Sequence, residues 1–113
     1  MTDGLVLIYD LLYRLGLRAD DTDFFYVAWC LRLAMAQPGR LLMPGRWLYP
    51  ETAARYDTTP RQVEAGILRA SRAVWRENRE QLELLAGCPV EAIPAPSRFL
   101  AILAAALSPV AAA

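Results

Sequence analysis

Between Tyr49 and Trp75 the chain sets two helical stretches on either side of a short turn, and this arrangement limits the fold more than any other feature. Pro50 suits the first turn of a short helix running to about Tyr56, because a helix start leaves the missing N–H unpaired anyway. Asp57-Thr58-Thr59-Pro60 is a turn with its own start signal. Thr59 can cap, Pro60 fits the first helical position, and Gln62 stands where a capping box takes Gln or Glu. The spacing predicts a second helix from Pro60 to about Glu77, with Val63, Ile67, Ala70 and Val74 as its inward stripe. Ala53 and Ala54 are small where the two helices must approach closely. A short helix, a tight turn and a longer helix make a helix-turn-helix over about residues 49–77.

The rest of the chain reads as helix too. Leu5, Ile8, Leu12 and Leu15 recur at helical spacing before Gly16, predicting a helix over about residues 4–15. Asp20, Asp21 and Asp23 precede a second helix, Phe24 to Met35, which Gln37-Pro38-Gly39 ends. Three clustered Asp raise the idea of a calcium loop, but the twelfth position from Asp20 is Leu31 and the sixth is not Gly. Helix capping accounts for the cluster better. Arg40 to Trp47 reads as loop or one short turn, Glu80 to Ala86 as a short helix, and Ser97 to Leu107 as the last helix. No stretch alternates as a strand does, and residues 108–113 read as a frayed tail. The expectation is all-α: a single compact bundle of about six helices, one domain over residues 1–113, with a 56% hydrophobic composition to fill its core.

Composition removes much chemistry. All twelve basic residues are Arg; there is no Lys and no His. The commonest general base, the commonest metal ligand and Schiff-base chemistry are therefore missing, and no enzymatic activity, metal or cofactor is expected. Cys30 and Cys88 alone cannot complete a four-ligand zinc site, and both are expected as free, buried thiols of a reducing compartment. The longest uncharged apolar run, Phe99 to Leu107, is too short to cross a bilayer, and no secretory signal is evident, so a cytoplasmic location is expected.

Net charge is zero but unevenly spread. Residues 1–23 carry five Asp against two Arg, whereas residues 40–79 carry eight Arg against four acidic residues, net +4. The positive third coincides with the helix-turn-helix, as an electrostatic footprint on phosphate requires. The outward face of the second helix shows Arg61, Gln62, Ala65, Leu68, Arg69, Arg72 and Arg76, with Glu64 at its flank. Arg72 and Arg76 are like charges one turn apart, which weakens an isolated helix by a few tenths of a kcal/mol and which phosphate would relieve. Contact with DNA and a merely solvated face are both open for this row.

Leu48-Tyr49-Pro50, Ala53-Ala54-Arg55-Tyr56, Thr58-Thr59, Val63-Glu64, Ile67 and Trp75, with Leu15-Gly16-Leu17 and Phe99-Leu100-Ala101 further out, carry a resemblance over about residues 5–107. In these residues the chain resembles the C-terminal effector domain of the master response regulator of sporulation initiation, the stage 0 sporulation protein A family. The resemblance implies a six-helix bundle that binds short boxes of double-stranded DNA, typically as tandem copies or a homodimer, and regulates transcription. It also implies a departure. The family reads bases with Arg, Glu and Arg around the positions of Gln62, Glu64, Ala65 and Leu68, and only Glu64 is retained. Gln62 can read an adenine edge and Glu64 can accept from a cytosine amine, while Ala65 and Leu68 offer apolar contact only. Arg69 stands one position past a lost Arg. The family's usual receiver domain has no counterpart in residues 1–20, so a stand-alone regulator is expected.

The candidate base contacts are thus Arg61, Gln62, Glu64, Ala65, Leu68 and Arg69, and the candidate phosphate contacts are Arg46, Arg55, Thr58, Thr59, Arg72 and Arg76. Trp29 and Trp75 read as core, and Trp47 as a loop residue beside Arg46. The apolar helix around Phe99, Leu100, Ile102, Leu103 and Leu107 either closes the core or offers a dimer surface. The alternative to DNA reading is a protein-interaction module on the same scaffold, which zero net charge, Ala65 and Leu68 favour.

Overall fold

The stop signals of the sequence end helices in the computed structural model, which describes residues 4–107. Helix α1, Gly4–Arg14, closes where Gly16 takes a left-handed φ of 89°. The N–H of Gly16 donates to Tyr13 and that of Leu17 to Leu12, both at 3.0 Å, a paired C-terminal cap. Asp21 opens α2, Thr22–Ala36, its carboxylate accepting from the Asp23 N–H at 3.0 Å. Where a loop or one turn was expected there are two turns, each opened by a proline: a 3-10 turn η1, Pro38–Leu42, and a single-turn helix α3, Pro44–Trp47. Then come α4, Tyr49–Arg55, α5, Pro60–Glu77, α6, Arg79–Ala86, and α7, Pro96–Leu107. Among the described residues six helices have seven residues or more, and there is no strand. The frayed tail expected over residues 108–113 lies outside the described residues.

Helix α2 is the central element, touching α1, α4, α5 and α7. Phe24, Val27 and Leu31 from α2 meet Val63, Ile67 and Val74 from α5 and Phe99, Leu100 and Leu103 from α7 in one buried cluster. The last helix therefore closes the core with its apolar side. Gly66 lets α2 and α5 approach: a Cβ there would stand 2.6 Å from Asp23 Oδ1 and 2.7 Å from Tyr26 Cδ2. At the other end the segment between α6 and α7 is tied down. Trp75 Nε1 donates to the Val90 carbonyl (2.9 Å), Ser71 Oγ donates to the Pro94 carbonyl (2.8 Å), and Glu83 Oε2 accepts from the Val90 N–H (2.7 Å). That backbone N–H, followed by Arg79, holds the Glu83 carboxyl below its ordinary pKa.

The cysteines differ from expectation in one respect. Cys30 is buried, 3.2 Å from Thr52 Oγ1, and burial pushes its thiol up to about 12 against the smaller opposing effect of that hydrogen bond. Cys88 is exposed, because the left-handed turn at Gly87 carries the chain off the end of α6 before Pro89. No helix among the described residues is long and apolar enough to cross a membrane.

Candidate nucleic-acid interface

Helices α4 and α5 meet around a turn whose geometry follows from three side chains. Asp57 takes a left-handed φ of 53°, which Asp tolerates better than most non-glycine residues, and the Thr58 N–H returns to the Ala53 carbonyl at 2.9 Å. Thr59 is extended, and its Oγ1 accepts from the Gln62 N–H at 3.2 Å to start α5. Thr58 is half-buried and Thr59 exposed, so both candidate phosphate contacts first serve the turn. Beneath it, Tyr49, Thr52 and Ala53 of α4 are buried. Burial raises the Tyr49 pKa, with smaller contributions from Cys30 and from Glu64 on the adjoining flank of α5.

Successive residues of α5 turn by about 100°, so Arg61, Ala65, Leu68, Arg72 and Arg76 share one outward strip. Gln62 and Arg69 lie on its flank towards α2, and Glu64 on the opposite flank. Arg61, Gln62, Glu64 and Arg76 are exposed; Ala65, Leu68 and Arg72 are half-buried. The candidate base contacts are therefore brought to one side of one helix. Arg69, Arg72 and Arg76 line a shallow cleft of about 230 Å³ with Ala73 and Glu77.

The arginines divide into two sets. Arg69 gives Nε and Nη2 to the two oxygens of Asp23, both at 2.9 Å, and this pairing raises its pKa. The guanidinium of Arg55 lies 3.8 Å from the ring centre of Trp29, a cation–π contact that turns this candidate phosphate contact towards the protein. Arg40 donates to the Trp47 carbonyl and pairs with Glu51 at 2.9 Å, clamping η1 and α3 onto α4. Arg79 covers Trp75 and reaches Glu83. Arg46, Arg61, Arg72 and Arg76, by contrast, form no ion pair or ring contact among the described residues. Arg46 stands apart from the α5 strip, at a second cleft with Trp47, Leu42 and Glu51. Sequence reasoning missed Asp23 and Arg40 because their partners lie on other elements, with no local pattern to betray them.

A half-buried α4, a capped turn and a basic outward strip on α5 give the two-helix arrangement that the sequence led us to expect over about residues 49–77. The family described as "Sporulation initiation factor Spo0A C terminal" matches residues 8–107. The chain belongs to that family. No curated protein matches it significantly. The Spo0A C-terminal family is a family of DNA-binding effector domains, and the chain folds as an all-α bundle. Its match spans all the helices from the middle of α1 to the end of α7.

Proposed function

We propose that this domain is a sequence-specific regulator of transcription that inserts α5 into the major groove of double-stranded DNA. The work proposed for it is binding and not catalysis, and a DNA target is consistent with a cytoplasmic location. The observation that supports this reading is the set of arginines on the α5 strip, Arg61, Arg72 and Arg76, that form no ion pair among the described residues, next to the exposed amide of Gln62. Arginines clustered along one helix face are the electrostatic footprint that a polyanion such as DNA meets. Arg61, Gln62 and Glu64 stand nearest the N-terminus of α5, where recognition helices meet base edges, with Ala65 and Leu68 for apolar contact. Arg72 and Arg76, with Thr59 at the turn, suit phosphate. A homodimer or tandem assembly on the DNA is part of this proposal, and binding stoichiometry on one and two boxes checks it.

Selection from random duplexes, then anisotropy titrations at several salt concentrations, tests the proposal. A defined box should emerge, with affinity falling steeply with salt. Absence of binding at low salt, or binding indifferent to Arg61→Ala and Arg72→Ala together, would defeat it. The competing reading, a protein-interaction module, draws on Ala65 and Leu68 in the middle of the strip. It predicts a co-purifying partner that protects α5 from proteolysis, and no DNA affinity.

A further inference from the structure

Asp23 is a carboxylate in an unusual place. It sits in the first turn of α2, yet its side chain is only 11% exposed and points at α5 instead of capping its own helix. Asp21 does the capping. The carboxylate lies against the bare backbone of Gly66, where even a methyl group would collide with Oδ1. It is therefore walled in, and one thing answers it: the Nε and Nη2 edge of Arg69, at 2.9 Å to each oxygen.

A guanidinium carries five N–H donors in a flat fork. Two are spent on Asp23, which leaves both N–H groups of Nη1 and one of Nη2 on the far edge. The Arg69 side chain is 53% exposed and lines the cleft with Arg72 and Arg76, so the group is accessible to a ligand. A free arginine must give up rotamer freedom when it binds; this one has already done so on folding. The neutralised Asp23 does not repel phosphate, while Arg72 and Arg76 beside the same cleft attract it.

We propose that Asp23 is a positioning residue for DNA recognition, gripping one edge of Arg69 so that the other edge takes a bidentate acceptor on the duplex. A guanine O6/N7 edge and a pair of phosphate oxygens share that acceptor chemistry. The proposal rests on the DNA-binding reading of α5 and names a residue, remote in sequence, through which α2 tunes it.

The test compares the whole chain with Asp23→Asn, Arg69→Lys and the double variant, each confirmed as folded by circular dichroism at the assay temperature. Asp23→Asn keeps the shape and loses the charge-assisted grip. Arg69→Lys keeps a cation opposite Asp23 and loses the second edge. Each should weaken binding to the selected box roughly tenfold, within the range of one bidentate contact. In the Arg69→Lys background Asp23→Asn should add nothing, because Asp23 acts only through the fork. Site selection then separates the two acceptors. Loss of one G from the preferred box identifies a base edge; an unchanged box with a shallower salt dependence identifies phosphate. If Asp23→Asn does not fold, the Arg69→Lys arm alone must show the loss. Wild-type affinity, box and salt slope in the folded variants would overturn the proposal, as would effects of the two substitutions that simply add. A wild-type chain that binds no DNA overturns the functional reading as well; a binding wild type with silent variants overturns this inference alone.

Discussion

The two sides of α5 are built by different rules. Inward, Val63, Gly66, Ile67, Ala70, Ser71 and Val74 are buried against α2, α4 and α7, and each position is limited by a neighbour that is already packed. Outward, Arg61, Arg72 and Arg76 meet no partner among the described residues. Stability is concentrated on the first side, so residues on the second can change with little effect on the fold. That difference leaves room for a chain to keep its family's scaffold while Gln62, Ala65 and Leu68 vary on the outward side. It also reduces the charge count. Of eight Arg in residues 40–79, four are engaged by the protein itself, and the footprint offered to a polyanion is smaller than net +4 suggests.

The comparison breaks first if the inward side proves tolerant. Ile67 is fully buried, and Ile67→Ala removes three carbons from a closed cluster. The expected loss is about 2–5 kcal/mol of unfolding free energy, read from urea denaturation, with DNA binding lost only as the folded fraction falls. Gly66→Ala is a sharper probe, because helix propensity alone favours Ala by about 1 kcal/mol. Here the new methyl meets Asp23 Oδ1, which Arg69 and the backbone of α5 hold in place. Overpacking of this kind typically costs about 1–3 kcal/mol, so the net effect should be destabilising. A stabilised Gly66→Ala would show that α2 can step aside.

Alkaline titration separates the two sides without any substitution on α5. Cys30 holds its proton up to about 12 in the folded chain, while an unfolded thiol loses it at roughly 8.5. The unfolded state therefore binds fewer protons above that pH. The stability due to the neutral buried thiol is present below about pH 8.5 and is lost as pH rises through the window towards the folded value. The limiting slope is about 1.4 kcal/mol per pH unit. Tyr49, also raised, adds a loss of the same sign only above about pH 10. Cys30→Ala should flatten the curve between about pH 8.5 and 10, and an unflattened curve would assign the slope elsewhere. A smaller effect belongs to the junction of the two sides: Thr59→Ala removes the cap on Gln62 N–H and should cost about 1 kcal/mol in thermal or urea unfolding.

Legibility in the sequence follows the range of the forces involved. The start of α5 at Pro60, its end at Glu77, its inward stripe and the stop at Gly16 were all readable, because caps and periodicity are local. The Asp23–Arg69 pair joins residues 46 apart, and nothing near Asp23 distinguishes it from Asp21, which does cap α2. Arg69 therefore read as an unencumbered base contact and Arg55 as a phosphate contact, although Trp29 holds the latter. Gly66 passed unremarked in mid-helix, since its reason is the side chain of Tyr26 on another helix. The exposed Cys88 was read as buried because thiol burial is a compositional habit, and the left-handed turn at Gly87 overrides it.

The smallest effect on stability is the most telling. Arg72 and Arg76 stand one turn apart on the strip with no carboxylate within ion-pair distance of either among the described residues, and Arg72→Ala should leave unfolding free energy within about 0.5 kcal/mol of wild type. Relieved repulsion with Arg76 contributes a gain of about a few tenths of a kcal/mol. The half-buried stem of Arg72 works the other way, since arginine methylenes cover apolar surface whatever the charge does. DNA affinity should nevertheless fall, and the slope of log affinity against log salt should drop by about 0.9 if Arg72 neutralises one phosphate. A loss of more than about 1 kcal/mol in stability with an unchanged salt slope would move Arg72 into the set of arginines that hold the protein together. Only Arg61 and Arg76 would then remain unpaired on the α5 strip, and the division between its two sides would weaken accordingly.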